Sequence, residues 1–200
     1  MNDANELISF IASMSGEGNL RVEENLGEGY VRLRVSEAER RQAKHDIQHV
    51  EDIVIEMLRN ARDAGADKVY LATTKEDGVR TLVFLDNGSG VPQDMQERIF
   101  DARVTSKLES MKMDRWGVHG RGMALFSIKQ NTDEARVVTS GVDLGSSIKV
   151  SVATDRLGER ADQSSWPQAV KDEDGHYVCA RGPHNIIRAA CEFALEELRG

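Results

Sequence analysis

Glu56-Met-Leu-Arg-Asn60-Ala-Arg-Asp63-Ala64-Gly-Ala66 is the stretch on which the reading of this sequence turns. It closes a long amphipathic segment. Ile47, Val50, Val54, Met57, Leu58 and Ala61 recur at 3.6 residues per turn, while His45, His49, Asp52, Glu56, Asn60 and Asp63 fall on the opposite face. Ser36 followed by Glu39 is a capping-box start, so a helix is expected from there to about Ala64, with or without a break. One side packs on something apolar and the other carries a polar stripe. Within the stripe Glu56 and Asn60 stand four positions apart, roughly 6 Å along the helix axis. A carboxylate there can accept a proton from water, and an amide oxygen one turn later can ligate a hard cation such as Mg2+. Taken alone, the pair is better read as a solvated helix face.

Downstream, Lys68 to Thr73 and Val79 to Leu85 read as strands joined by an Asp77-Gly78 turn. The second runs into Asp86-Asn-Gly88-Ser-Gly90-Val91-Pro92. Asn-Gly is also the strongest short hairpin signal, yet no alternating return strand follows it. A carboxylate at a strand end beside two glycines can accept from an exocyclic amine whose ring lies flat on the glycine backbone. A plain turn explains the same residues equally well. Gln93 to Phe100 reads as a short helix, and 101–118 as a mobile loop holding Thr105, Ser106 and Lys107.

Gly117-Val118-His119-Gly120-Arg121-Gly122-Met123 then opens a helix running from Met123 to Gln130. Glycines let backbone N–H groups approach a phosphate closely, and a helix start adds favourable partial charge. No strand is expected before this run, and no G-x-x-x-x-G-K-[ST] occurs. Neither the dinucleotide fingerprint nor the P-loop fits. Arg136 to Thr139 and Ser147 to Val152 read as a second strand pair, joined through Gly141 and Gly145.

The flanks carry less. Leu7, Ile11 and Met14 fit a short opening helix, Gly16, Gly18, Gly27 and Gly29 a flexible loop, and Tyr30 to Val35 a half-buried strand. Beyond Thr154 the pattern weakens. Ser164 to Pro167 is loop-like, and a last helix starts near Pro183 with Ile186, Ile187, Ala190, Phe193 and Leu198. The expected organisation is 1–35 (helix, glycine-rich loop, strand), 36–155 (core) and 156–200 (an extension whose helix packs on the core).

With 34 acidic and 26 basic residues the formal charge is -8, which argues against direct nucleic-acid binding. Arg32, Arg34, Arg40, Arg41 and Lys44 are nevertheless close together. Cys179 and Cys191 form no C-x-x-C pair, the first residues lack the cationic start and apolar run expected of a signal peptide, and no stretch approaches membrane-spanning length. A reduced, cytoplasmic setting away from membranes is expected.

Order and spacing add what the separate pieces lack. A helix with Glu56 and Asn60, a hairpin ending in Asp86, a lid, and glycines at a helix start resemble the GHKL superfamily of gyrase, heat-shock chaperones, histidine kinases and MutL. There the three segments are called the N, G1 and G2 boxes. Thr105-Ser106-Lys107-Leu108 is similar to the Thr-Ser-Lys-Ile of MutL-type mismatch-repair ATPases. Arg121-Gly122-Met123-Ala124-Leu125 is similar to their Arg-Gly-Glu-Ala-Leu, and Gly145-Ser146-Ser147-Ile148 to their Gly-Thr-Thr-Leu. The match covers Val50 to Val152, about half the chain, and looks most like the MutL type. It implies an α+β two-layer sandwich, a mixed, largely antiparallel sheet covered on one face by helices (the Bergerat ATP-binding fold).

The resemblance also implies the ligands, ATP or ADP with Mg2+, and a role for each residue. Glu56 would be the general base and Asn60 the metal ligand. Asp86 would accept from the adenine amine, supported by Ser146. Ala64 and Val91 would line the adenine pocket, with Asp63, Gly88 and Gly90 beside it. Thr105, Ser106 and Lys107 would close on the phosphates, Lys107 and Arg121 being the nearby cations. The glycine run Gly117, Val118, His119, Gly120, Arg121, Gly122, Met123, Ala124 and Leu125 would cradle them.

Two departures matter. Ser146 stands where the family has threonine, keeping the hydroxyl. Gyrase-like and MutL-like enzymes also place a lysine from a following domain on the γ-phosphate, and such a domain is not expected within these 200 residues. Slow ATP hydrolysis is therefore expected, with lid closure controlling homodimerisation or the docking of a protein partner that supplies the lysine. Other readings stay open. Lys44-His45-Asp46-Ile47 resembles a phosphoacceptor box, although His45 lies only eleven positions before Glu56. A serine/threonine kinase of the anti-sigma-factor type and a non-catalytic nucleotide-gated module are the others. His45 and His49, at i and i+4, can also be read as a zinc pair, with no third ligand evident.

Overall fold

The computed structural model describes residues 22–106, 112–114, 117–119 and 122–199. In chain order the strands and helices are β1 (Val22–Gly27), β2 (Tyr30–Leu33), α1 (Glu37–Asp46), α2 (Val50–Asp63), β3 (Val69–Glu76), β4 (Val79–Asp86) and β5 (Val104–Thr105). They continue with β6 (Lys112–Asp114), β7 (Gly117–His119), α3 (Ala124–Asn131), β8 (Glu134–Ser140), β9 (Ser146–Ala153), β10 (Gln168–Lys171), β11 (Tyr177–Arg181) and α4 (Ile186–Glu197). Every described strand pair is antiparallel, and helices accompany the sheets in an α+β fold. The chain divides into two compact units, Met1–Asp46 with Pro92–Gln130, and Ile47–Val91 with Asn131–Gly200. No helix among the described residues is long and apolar enough to cross a membrane.

In the first unit β1 and β2 form a hairpin that β5 extends to three strands. Gly27 and Gly29 therefore sit in a tight turn and not in a loose loop, while Gly16, Gly18 and the expected opening helix lie outside the described residues. β1 escapes sequence reading because Val22-Glu-Glu-Asn-Leu-Gly27 offers two apolar side chains in six. α1 starts as its capping box requires. Glu39 accepts from Ser36 N at 2.8 Å, and Ser36 Oγ accepts from Glu39 N at 3.2 Å. Gln93 to Phe100 is not one helix but two 3-10 turns, Gln93–Met95 and Arg98–Phe100. Eight residues are few for a stable helix, and the turns suffice to bury Met95, Ile99 and Phe100. The stretch expected as a structureless loop contains β5 and the β6–β7 hairpin.

The second unit is built on a four-stranded sheet in the order β3-β4-β9-β8. Asp77 and Gly78 both have positive φ, the geometry of a tight hairpin turn that follows the strand twist. Alternation then decides the faces. Leu82, Phe84, Ile148, Val150 and Val152 are buried, whereas Tyr70, Leu85 and Val138 are exposed. α2 turns Val50, Val54, Met57, Leu58 and Ala61 inward as its spacing dictates, with Ile53 and Ile55 buried too. Each fully buried aliphatic chain contributes about 1.5–3 kcal/mol.

The long helix breaks at 47–49, where the Asp52 carboxylate accepts from Gln48 N and His49 N, both at 2.9 Å. His45 and His49 thus belong to different elements, not to consecutive turns of one helix. The spacing that would have made them a zinc pair is lost.

Past residue 154 the second unit holds more structure than the sequence pattern announces. β10 and β11 form an exposed hairpin, its turn fixed by Asp172, which accepts from Asp174 N at 3.1 Å and His176 N at 2.8 Å. α4 is capped by Asn185, which is fully buried. Its amide donates to the carbonyls of Asp162 (2.9 Å) and Ser165 (2.8 Å) and accepts from Arg188 N (3.0 Å). Gln163 bridges onward, donating to buried Glu51 at 2.7 Å and accepting from Ile186 N at 3.0 Å. Arg62 joins α2 to α4, pairing with Glu197 at 2.8 Å and lying over the Phe193 ring. Burial alone would make the Arg62 cation easier to neutralise, but Glu197 and Asp63 outweigh it and raise its pKa.

Candidate functional site

The β4–β9 register sets Asp86, the last residue of β4, directly opposite Ser146, the first of β9. Ser146 Oγ donates to one Asp86 carboxylate oxygen at 2.5 Å, and Gly88 N donates to the other at 2.9 Å. A carboxylate has about four acceptor positions, so these two bonds fix the side chain and leave capacity on both oxygens.

Two loops lock around that carboxylate. Asp143 N donates to Ser89 O at 2.8 Å, Val91 N donates to Ser140 Oγ at 2.7 Å, and Ser140 Oγ donates to Gly145 O at 2.8 Å. Close approach explains the glycines. A Cβ on Gly90 would lie 1.9 Å from Gly141 O, and one on Gly145 would lie 2.0 Å from Asp86 O. Both residues also have positive φ.

The same loop is tied to the end of α2. Ser89 N donates to Ala64 O at 2.9 Å, and a Cβ on Gly88 would meet the Ala64 methyl at 2.9 Å. Asn87 turns away from the carboxylate to brace residues 67 and 68, accepting from both backbone N–H groups. The expected Glu56, Asn60, Asp63 and Ala64 thus end on the helix to which the Asp86–Val91 loop is attached. Val91 itself is buried.

On the outward face of α2, Glu56, Asn60 and Asp63 are all half-buried. The Arg59 guanidinium, almost fully buried, pairs with the Glu56 carboxylate. Asp63 lies 3.3 Å from Arg62 Nε. Asn60 Nδ2 is buried and has no hydrogen-bond partner among the described residues. An orphaned N–H donor calls for an acceptor oxygen, whereas a cation would have to be held by the amide Oδ1. Glu56, Asn60 and Asp63 offer amide and carboxylate oxygens, a donor set that fits a hard cation such as Mg2+.

The remaining expected residues lie in the first unit. Thr105 is in β5, opposite Val31 of β2, and Ser106 hydrogen-bonds the Tyr30 phenol. Burial raises the Tyr30 pKa, and the Ser106 bond only partly offsets it. Gly117, Val118 and His119 form β7, so a strand does stand within the glycine run. α3 begins at Ala124, one residue later than expected, with Ser127 N bonded to Met123 O at 2.8 Å and with Leu125 in its first turn. Lys107, Gly120 and Arg121 lie outside the described residues. Sequence reading gave no role to Ser140, Asn87 and Arg59. Ser140, a hydroxyl beside the Gly141 strand joint, and Arg59, at i+3 from Glu56, left usable signals.

The family model described as "Histidine kinase-, DNA gyrase B-, and HSP90-like ATPase" matches residues 47–169. The DNA mismatch repair protein MutL of Thermodesulfovibrio yellowstonii is 33% identical over 93 residues, 46% of this chain and 17% of that protein. MutL of Staphylococcus aureus (strain Newman) is 34% identical over 113 residues, 52% of this chain and again 17% of the relative. The chain therefore spans about a sixth of the length of these relatives. Among solved structures, the mycobacterial sensor histidine kinase MprB is similar at a TM-score of 0.36 and 20% identity, over 62% of this chain and 74% of that one. Since the family model covers well over half of its length, this chain belongs to the histidine kinase-, DNA gyrase B- and HSP90-like (GHKL) ATPase family, and its curated relatives include MutL proteins.

Proposed function

We propose that the chain binds Mg-ATP, hydrolyses the γ-phosphate slowly, and uses the nucleotide state to control association with a second copy or a protein partner. The observation that carries this reading is the Asp86 carboxylate, fixed by Ser146 and Gly88 with acceptor capacity left on both oxygens. That is the geometry an adenine amino group requires, and Ala64 and Val91 supply apolar contact for the ring.

Asn60 is assigned to the metal by the family resemblance, its amide Oδ1 being the atom that can ligate Mg2+. Mg2+ bound there supplies charge stabilisation on the phosphates. Glu56 is assigned as general base. It accepts a proton from water while the water oxygen bonds to the γ-phosphorus and the bond to the β,γ-bridging oxygen breaks, giving ADP and inorganic phosphate. Arg59 restrains the Glu56 side chain through their ion pair. By the family resemblance Thr105, Ser106, Lys107 and the backbone around Gly120 to Ala124 are assigned to the phosphates.

Calorimetric binding and phosphate release, measured together on three proteins, test the assignment. Wild type is expected to bind Mg-ATP and release phosphate. Asp86→Ala should bind no nucleotide, and Glu56→Ala should bind ATP without releasing phosphate. Normal phosphate release by Glu56→Ala removes the general-base role. Transfer of the γ-phosphate to protein replaces hydrolysis by a kinase reaction.

A further inference from the structure

Arg103 is used by nothing described so far, yet it is held in an unusual way. Its φ is +62°, in the left-handed region that a non-glycine residue occupies only where its surroundings hold it. Its side chain is 7% exposed, and the guanidinium pairs with Glu39 on α1. Glu39 is itself pinned by Ser36, accepting from the backbone N at 2.8 Å and the hydroxyl at 2.9 Å.

The main chain of Arg103 carries a second set of bonds. Its carbonyl accepts from Leu33 N of β2, and its N–H donates to Gly122 O, each at 2.9 Å. Gly122, at φ +68°, lies so close that a Cβ would sit 3.0 Å from Val104 O and 3.3 Å from Arg103 Cα. The neighbouring residues extend the contact through the pairs Arg32↔Val104 and Val31↔Thr105, and through Arg32 to Asp101 at 3.2 Å. One residue thus joins the hairpin, α1 and the glycine before α3, three segments distant in sequence.

We propose that Arg103 is a positioning residue for the phosphates of the nucleotide. It fixes the backbone at Gly122 against β2 and α1, so that residues 22–46 brace Gly122 and the N–H groups that follow it. This rests on the reading that the N–H groups after Gly122 meet the phosphates. Burial alone would raise the Glu39 pKa, but the Ser36 bonds and the Arg103 cation outweigh it, as a persistent ion pair requires.

Calorimetric titration of wild type, Arg103→Ala, Arg103→Lys and Glu39→Gln with Mg-ATP and with adenosine tests the proposal. Arg103→Ala and Glu39→Gln are expected to weaken Mg-ATP about tenfold, the worth of one charge-assisted contact. Adenosine, which has no phosphate, should stay within about twofold, well under one such contact. Arg103→Lys keeps a cation toward Glu39 and should fall between. Unchanged Mg-ATP affinity in Arg103→Ala, or parallel losses for both ligands, overturns the positioning role. If Arg103→Ala does not fold, the affinity ratio in Glu39→Gln decides alone. A wild type that binds neither ligand contradicts the ATP reading itself, before any variant is compared.

Discussion

Replacing Gly90 with alanine probes how tightly the two loops behind Asp86 are packed, and Gly78→Ala supplies its control. Both glycines lie in the second unit at similar positive φ, +69° and +78°. A Cβ on Gly78 meets nothing within 4 Å, whereas one on Gly90 would lie 1.9 Å from Gly141 O. Ordinary contact begins at 3.4 Å, so Gly141 must retreat by 3.4 − 1.9 = 1.5 Å. The backbone penalty, ~1–2 kcal/mol, is common to both and is partly offset by the stiffer unfolded chain. Overpacking adds ~1–3 kcal/mol at Gly90 alone. Displacing 141–145 also strains the Asp143–Ser89 and Val91–Ser140 bonds, worth ~1 kcal/mol each. Gly78→Ala should therefore cost ~1 kcal/mol and Gly90→Ala at least ~3 kcal/mol, a gap of ~2 kcal/mol or more. Urea denaturation at constant m-value reads the gap directly, and Gly90→Ala should also lose nucleotide binding. Equal costs within ~0.5 kcal/mol would refute the interlocked loops.

Two further substitutions address the rest of the second unit. Asn185→Asp keeps the acceptor for Arg188 N but removes both donations, to Asp162 O and Ser165 O, and sets a carboxylate against two carbonyls. A loss of ~3 kcal/mol is expected by urea denaturation, and a loss below ~1 kcal/mol contradicts the buried cap. Glu159 is pulled two ways. Burial raises its pKa, but Arg80 at 2.7 Å and Lys75 at 3.2 Å outweigh it and lower the value below the ordinary glutamate range. A lowered folded pKa means stability present above the unfolded value and lost as pH falls through the folded one. Glu159→Gln should therefore cost ~1–3 kcal/mol near neutral pH and progressively less on acidification below the glutamate range. A pH-independent difference would contradict the ion pair.

What the sequence disclosed and what it hid follow from the range of the forces involved. The inward face of α2, the Asp77-Gly78 turn and both strand pairs of the four-stranded sheet were legible because side-chain spacing and turn chemistry are local. A break between α1 and α2 was allowed for, but its place was not legible. It depends on Asp52 capping 48 and 49, which competes with a helical pattern running through both sides. β10 and β11 were missed because exposed strands need no apolar alternation. At the site, Asp86, Gly88, Gly90 and Ser146 were picked out by motif order, and the structure brings them together with Ala64. Ser140 and Gly141 matter only through the β8–β9 connection. Arg103 pairs with Glu39, 64 residues away, which leaves no local trace, whereas Arg59 pairs with Glu56 at i,i+3 and was legible but given no role.

The account stands most directly on where adenine goes. A crystal structure with Mg2+ and a non-hydrolysable ATP analogue should place the exocyclic amine within hydrogen-bonding distance of Asp86 and a metal ion on Asn60. An adenine ring bound elsewhere, with Asp86 still engaged only by Ser146 and Gly88, would contradict it.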